Sequence, residues 1–174
     1  YGLPDQYVLY LGRSTPSKTT RVIPDFLRYK KEHGGEVKRV MVGGTELDIK
    51  RSDSPDIIFT GYVSDEEKSS IIRHATVMVN PSRMESLSLL MLEAMQNRVP
   101  LLVNGRSRVM KDHCKSSGAA FWYNSSRDFR NKLHRLISDP ELRRTMSEKG
   151  PVYVREHYDW SVIIPKLRTL IESI

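Results

Sequence analysis

A single cysteine, Cys114, stands in a chain of 174 residues, so no internal disulfide can form, and a lone thiol fits a reducing compartment. Long hydrophobic runs are missing too. The longest are strand-length, far short of the roughly 18 apolar residues that a membrane-crossing helix needs. The opening Tyr1-Gly2-Leu3-Pro4 lacks the charged-then-apolar pattern of a secretory signal. It reads as a short turn running straight into a strand, the way a domain cut from a longer protein would begin, and a cytoplasmic setting is expected. No Asp-x-Asp pair occurs, the five histidines show no ligand spacing, and neither glycine-rich phosphate fingerprint is present. The sequence thus offers no recognised metal or phosphate-loop motif.

What is present describes one ordinary globular domain spanning residues 1–174, with 39% hydrophobic and 28% charged residues. Lys and Arg number 28 against 21 Asp and Glu, a net charge of +7, which should attract anions. The bases are scattered, without a dense basic helix or interleaved aromatics, so nucleic acid is not the expected partner. Peripheral contact with anionic lipid headgroups is a further expectation from the same charge.

Short apolar runs alternate with helical periodicity, which argues for an α/β fold: a Rossmann-like parallel sheet flanked by helices. Strands are expected at 7–11, 37–42, 57–60, 76–80, 101–103 and 119–123. Helices are expected at 20–33, after Ser64 to His74 with a Ser64/Glu67 capping box, at 86–97 and near 108–116. From residue 126 onward the periodicity is mainly helical, giving a C-terminal helical tail. Its last helix, capped by Asp159 and anchored by Trp160, should carry an apolar stripe of Val162, Ile163, Leu167, Leu170 and Ile171.

Two places suit phosphate and sugar chemistry. After the first strand, Gly12 allows close backbone approach, Arg13 offers a rigid fork and Lys18 a point charge, a set fitted to a diphosphate. After the strand ending at Asn80, Glu85 lies in the loop and Glu93 about two turns into the next helix. Ligands of open parallel sheets bind outside the carboxyl ends of the strands, so these glutamates are positioned to grip a nucleotide sugar. His113 and Cys114 are read as helix packing, since a single adjacent pair makes no metal site.

Taken in order, Gly12-Arg13 with Lys18, Phe59-Thr60-Gly61-Tyr62-Val63-Ser64, Pro81-Ser82, and Glu85 with Glu93 resemble the C-terminal, donor-binding half of a GT-B glycosyltransferase of the retaining family 4. The resemblance covers nearly the whole chain. It implies two Rossmann-like domains with a nucleotide sugar between them, metal-free transfer of the sugar to a glycan, lipid-linked or other acceptor, and an N-terminal acceptor domain as partner. By this resemblance, Arg13 and Lys18 stabilise the diphosphate, Glu93 binds the ribose, and Glu85 faces the transferred sugar. Amides of Ser86, Leu87 and Ser88 approach sugar or phosphate, and backbone at Tyr62 and Val63 meets the base. The chain departs from the family where Glu-Gly-Phe-Gly is usual and Glu85-Ser86-Leu87-Ser88 stands. It departs again where Gly-Gly-x-x-Glu is usual and Asn104-Gly105-Arg106-Ser107-Arg108 stands, bringing extra positive charge that would meet a phosphate or acidic sugar. A non-catalytic α/β module binding nucleotides or nucleic acid is the alternative.

Overall fold

The computed structural model of the chain describes residues 1–15, 21–46 and 55–173. Six strands, β1 (Tyr7–Leu11), β2 (Lys38–Val42), β3 (Ile57–Gly61), β4 (Val77–Asn80), β5 (Leu101–Asn104) and β6 (Ala120–Tyr123), form one sheet in the order β3-β2-β1-β4-β5-β6. Every pairing is parallel. Seven helices are seen among the described residues: α1 (Val22–His33), α2 (Asp65–Arg73), α3 (Leu89–Gln96), α4 (Arg108–Ser117), α5 (Ser126–Ser138), α6 (Pro140–Tyr158) and α7 (Trp160–Glu172).

Alternation along the strands sends side chains to two apolar layers, as the twofold period of a strand requires. Leu9, Val40, Met78, Leu101 and Val103 pack with Ile72 of α2, Met91 and Met95 of α3 and Met110 of α4. On the opposite face Val8, Val77, Val79 and Leu102 meet Phe26 of α1 and Phe129 and Leu133 of α5. Burial on both faces explains why the strands read as continuous apolar runs.

Helix starts follow side-chain chemistry. Ser64 and Glu67 form the expected capping box on α2, and Ser107, Ser125, Asp139 and Asp159 each accept from a backbone N–H in the first turn of the next helix. The start of α3 differs from the expected Ser86: it begins at Leu89, because Ser88 takes a left-handed conformation with φ 64°. Trp160 does not anchor α7. It is 73% exposed, and the whole helix has no buried residue, with Ile164, Leu167, Leu170 and Ile171 forming an outward apolar stripe.

Candidate functional site

After β1 the chain adds strands outward through β2 and β3, then returns to place β4 on the other side of β1. That reversal is a topological switch point, where adjacent connections leave to opposite faces and open a crevice. The ladder between β1 and β4 registers only Val8 with Val77 and Leu9 with Met78. Beyond those pairs lies a cleft of about 200 Å³ lined by Tyr10, Gly12, Asn80, Glu85, Ser88 and Leu90, among others. Gly12, singled out in the sequence for phosphate approach, thus meets Glu85 and Ser88 of the separately recognised glutamate loop in one cavity.

The Gly12 wall is held by backbone. Gly12 N–H donates to the Val42 carbonyl at 2.9 Å, and Ser14 N–H to the Gly44 carbonyl at 2.8 Å. Gly43, at φ 112°, lies so close that a Cβ there would sit 2.7 Å from the Gly12 carbonyl oxygen. Only glycine combines that φ with that approach. Tyr10 donates its phenol hydrogen to the Arg13 carbonyl at 2.9 Å, fixing the loop from below. The Arg13 guanidinium is in solvent, 3.5 Å from Glu46, an exposed pairing of the kind that contributes little and that leaves the fork available to an anion. Lys18 lies outside the described residues.

The Glu85 wall is held by side chains. Asn80 Nδ2 donates to Ser88 Oγ at 3.1 Å, and Asn80 Oδ1 accepts from the Ser82 N–H at 3.0 Å. Ser88 is buried and lines the cleft, whereas Ser86 lines a neighbouring cavity that shares Glu85. Leu87 turns the other way: its carbonyl meets His113 Nε2 at 3.0 Å, while His113 Nδ1 meets the Tyr153 hydroxyl at 2.8 Å. Nε2 donates to the carbonyl, and in the neutral ring Nδ1 accepts from the tyrosine hydroxyl. Burial pushes the His113 pKa down, partly countered by the Leu87 carbonyl and by Asp112. Cys114 is buried, its thiol pushed up to about 12 by burial, which makes it inert.

Glu93 does not line the cleft. It sits in the second turn of α3, where its Oε1 is 3.4 Å from Lys68 Nζ of α2. Burial opposes the lysine's charge, but Glu93 and Asp65 outweigh it and raise the Lys68 pKa. Tyr62 is exposed, with its hydroxyl over Gly44, where a Cβ would lie 2.7 Å away; Val63 is half-buried against the core. Tyr62, Val63, Lys68 and Glu93 all belong to the β3–α2 segment or to α3. Lys68 and His113 went unrecognised as site residues in the sequence. A basic residue in the first turn of α2 and a histidine on the buried face of α4 were the available signals. Among the described residues no group of three or more His, Cys, Asp or Glu is arranged to hold a metal ion.

A model for glycosyl transferases group 1 matches residues 3–152. The chain belongs to the group 1 glycosyltransferases. Among its relatives in that family is an alpha-D-kanosaminyltransferase from Streptomyces kanamyceticus, 28% identical over all of this chain and 47% of its own length. The chain spans about half the length, or somewhat less, of the curated relatives it matches. Solved structures share the fold. The C-terminal domain of the group 1 protein LpcC from Francisella tularensis superposes with a TM-score of 0.74 at 22% identity, covering 89% of this chain and 86% of that one. Anabaena HepE, solved with UDP and glucose, gives a TM-score of 0.79 at 15% identity over 97% of this chain and 48% of its own.

Proposed function

We propose that this chain is the donor-binding domain of a retaining glycosyltransferase, moving a sugar from a nucleoside diphosphate to an acceptor presented by a second, N-terminal domain. The observation that carries the reading is the junction of Gly12, Glu85 and Ser88 in one cleft at the β1/β4 switch point, in a chain of group 1 membership. A fold shared with HepE, which was solved with UDP and glucose, supports a nucleotide sugar as donor. Relatives named as transferases support this reading, and nothing among them supports the nucleic-acid alternative.

In this mechanism the diphosphate lies over Gly12, and the charges of Arg13 and Lys18 stabilise the negative charge that builds on the leaving group. Glu93, oriented by Lys68, accepts from the ribose hydroxyls, and the base rests against backbone at Tyr62 and Val63. Glu85 accepts from hydroxyls of the transferred sugar, with amides of the Ser86–Ser88 stretch close by. The bond from the anomeric carbon to the diphosphate breaks as the bond to the acceptor oxygen forms on the same face. The acceptor's proton passes to the departing phosphate oxygen. No metal takes part. The second domain covers the apolar stripe of α7, and the full enzyme works in the cytoplasm with its basic surface against anionic lipid. Co-sedimentation with phosphatidylserine vesicles, lost at high salt, tests the last point.

Thermal melts of the 174-residue chain with UDP, GDP, ADP and dTDP test the central claim. A ligand at a hundredfold excess over its Kd stabilises by about 2.7 kcal/mol, or roughly 5–10 °C for a chain of this size. The expected result is a base-selective shift that Glu93→Ala removes without lowering the melting point of the free protein. Absence of a shift with every nucleotide would overturn the reading.

A further inference from the structure

Beside the switch-point cleft, and sharing Glu85 with it, lies a second cavity of about 540 Å³ whose walls include Arg83, Met84, Arg106, Ser107 and Arg108. Arg83 comes from the β4–α3 loop, Arg106 from the β5–α4 loop and Arg108 from the first turn of α4. Among the described residues none of these three guanidinium groups has a carboxylate partner. All three side chains are exposed at an open cavity whose single carboxylate is Glu85. A planar fork carrying several donors recognises carboxylate and phosphate oxygens in pairs.

The loops that present these arginines are fixed. Asn104 Nδ2 donates to the Pro81 carbonyl at 3.0 Å, tying the β5–α4 loop to the β4–α3 loop, and Asn104 Oδ1 accepts from the Arg106 N–H at 3.0 Å. Gly105 donates to the Tyr123 carbonyl at 2.8 Å, and a Cβ on it would strike Asn124 at 2.5 Å and Trp122 at 2.9 Å. Ser107 is buried and caps α4 through the Met110 N–H. Only the side chains remain to be ordered by a ligand, which lowers the entropic cost of binding.

We infer that this arginine-lined cavity is an anion subsite for the carboxylate or phosphate of an acidic sugar, lying on the far side of Glu85 from Gly12. The inference rests on the donor-domain reading for its partner at Glu85, and it specifies the substrate class: a sugar bearing its own negative charge, in addition to the diphosphate. That charge belongs either to the transferred sugar or to the acceptor.

Calorimetric titration of the 174-residue chain separates these cases. The first arm compares a nucleoside diphosphate glucuronic acid with its neutral glucose counterpart. The second compares glucose 6-phosphate with glucose in the presence of the free nucleoside diphosphate, which is itself titrated alone. A preference for the anionic member of about tenfold or more is expected in one arm. It falls to about one in Arg106→Gln/Arg108→Gln, and again in Arg83→Gln, while affinity for the neutral conjugate or the free nucleotide is unchanged. Preference in the first arm assigns the charge to the donor sugar, and in the second arm to the acceptor. Equal binding in both arms, or a preference that survives both variants, overturns the subsite. Loss of all nucleoside diphosphate binding with the sugar-phosphate preference retained would keep the subsite and remove the donor reading instead.

Discussion

Replacing Arg39 by methionine should make this protein more stable. Arg39 is in β2, 0% exposed, and the largest fully buried side chain. Its Nε reaches Met41 Sδ at 3.1 Å, its guanidinium carbon is 5.9 Å from the centre of the Phe26 ring, and among the described residues Nη1 and Nη2 have no hydrogen-bond partner. Burial, eased slightly by Tyr123 and Tyr10, pulls its pKa from 12.5 down to about 10. At about 1.4 kcal/mol per pH unit, keeping the side chain charged in the fold costs roughly 3 kcal/mol at neutral pH. The sign follows from proton counting: between pH 10 and 12.5 the unfolded chain holds the extra proton, so this cost fades only as pH rises through that range. Methionine keeps the length and apolar stem while giving up the contact over Phe26, about 0.5–1 kcal/mol. Arg39→Met should therefore gain about 1–3 kcal/mol, or roughly 3–10 °C in melting temperature for a chain of this size. Urea denaturation at pH 7 reads the change directly, with an unaltered m value. A loss of more than about 1 kcal/mol would refute the reasoning, since it would mean that the guanidinium is stabilised where it lies.

Ser88→Ala should destabilise by about 1–2 kcal/mol, because the left-handed backbone persists while Asn80 Nδ2 loses its buried acceptor; Ser88→Gly, which relieves the backbone cost of about 1 kcal/mol, should lie nearer the wild type, and equal effects in urea melts would sink the argument. Gly150→Ala places a Cβ 2.6 Å from the Met95 carbonyl oxygen, so α6 must move off α3; a loss of about 1–3 kcal/mol is expected, together with weaker nucleotide binding in the same melts. The depressed pKa of His113 means that the unfolded chain takes up its proton first as pH falls below about 6.5, so the neutral histidine's contribution is present above that pH and lost below it. Stability curves at pH 5.5 and 7.5 should consequently diverge more for the wild type than for His113→Gln, and parallel curves would count against a buried neutral ring.

The parallel sheet was legible because each strand is buried on both faces and stands out as an apolar run closed by a polar or glycine residue. Capping chemistry fixed the starts of α2 and α7 for the same local reason: Ser64, Glu67 and Asp159 act on amides within three residues of themselves. What was not legible depended on partners distant in sequence. Periodicity ran the helix back to Ser86, yet Asn80 captures Ser88 and holds it outside the helix. Glu93 was recognised from its spacing, but Lys68, 25 residues earlier, belongs to an element whose packing no local pattern reveals. Trp160 resembled an anchor in composition, though the described residues leave it 73% exposed.

One arrangement bears on how this domain would register movement elsewhere. The Leu87 carbonyl, one residue from the cleft-lining Ser88, is fastened through His113 to Tyr153 near the C-terminal half of α6, and α6 also presses Gly150 onto α3. The glutamate loop is thus geared to the longest helix of the chain, the one that leads directly into the bare stripe of α7. Anything that settles on that stripe and tilts α6 would act on a backbone oxygen two residues from Glu85, so the helix that carries the stripe and the loop that carries the carboxylate share one mechanical link.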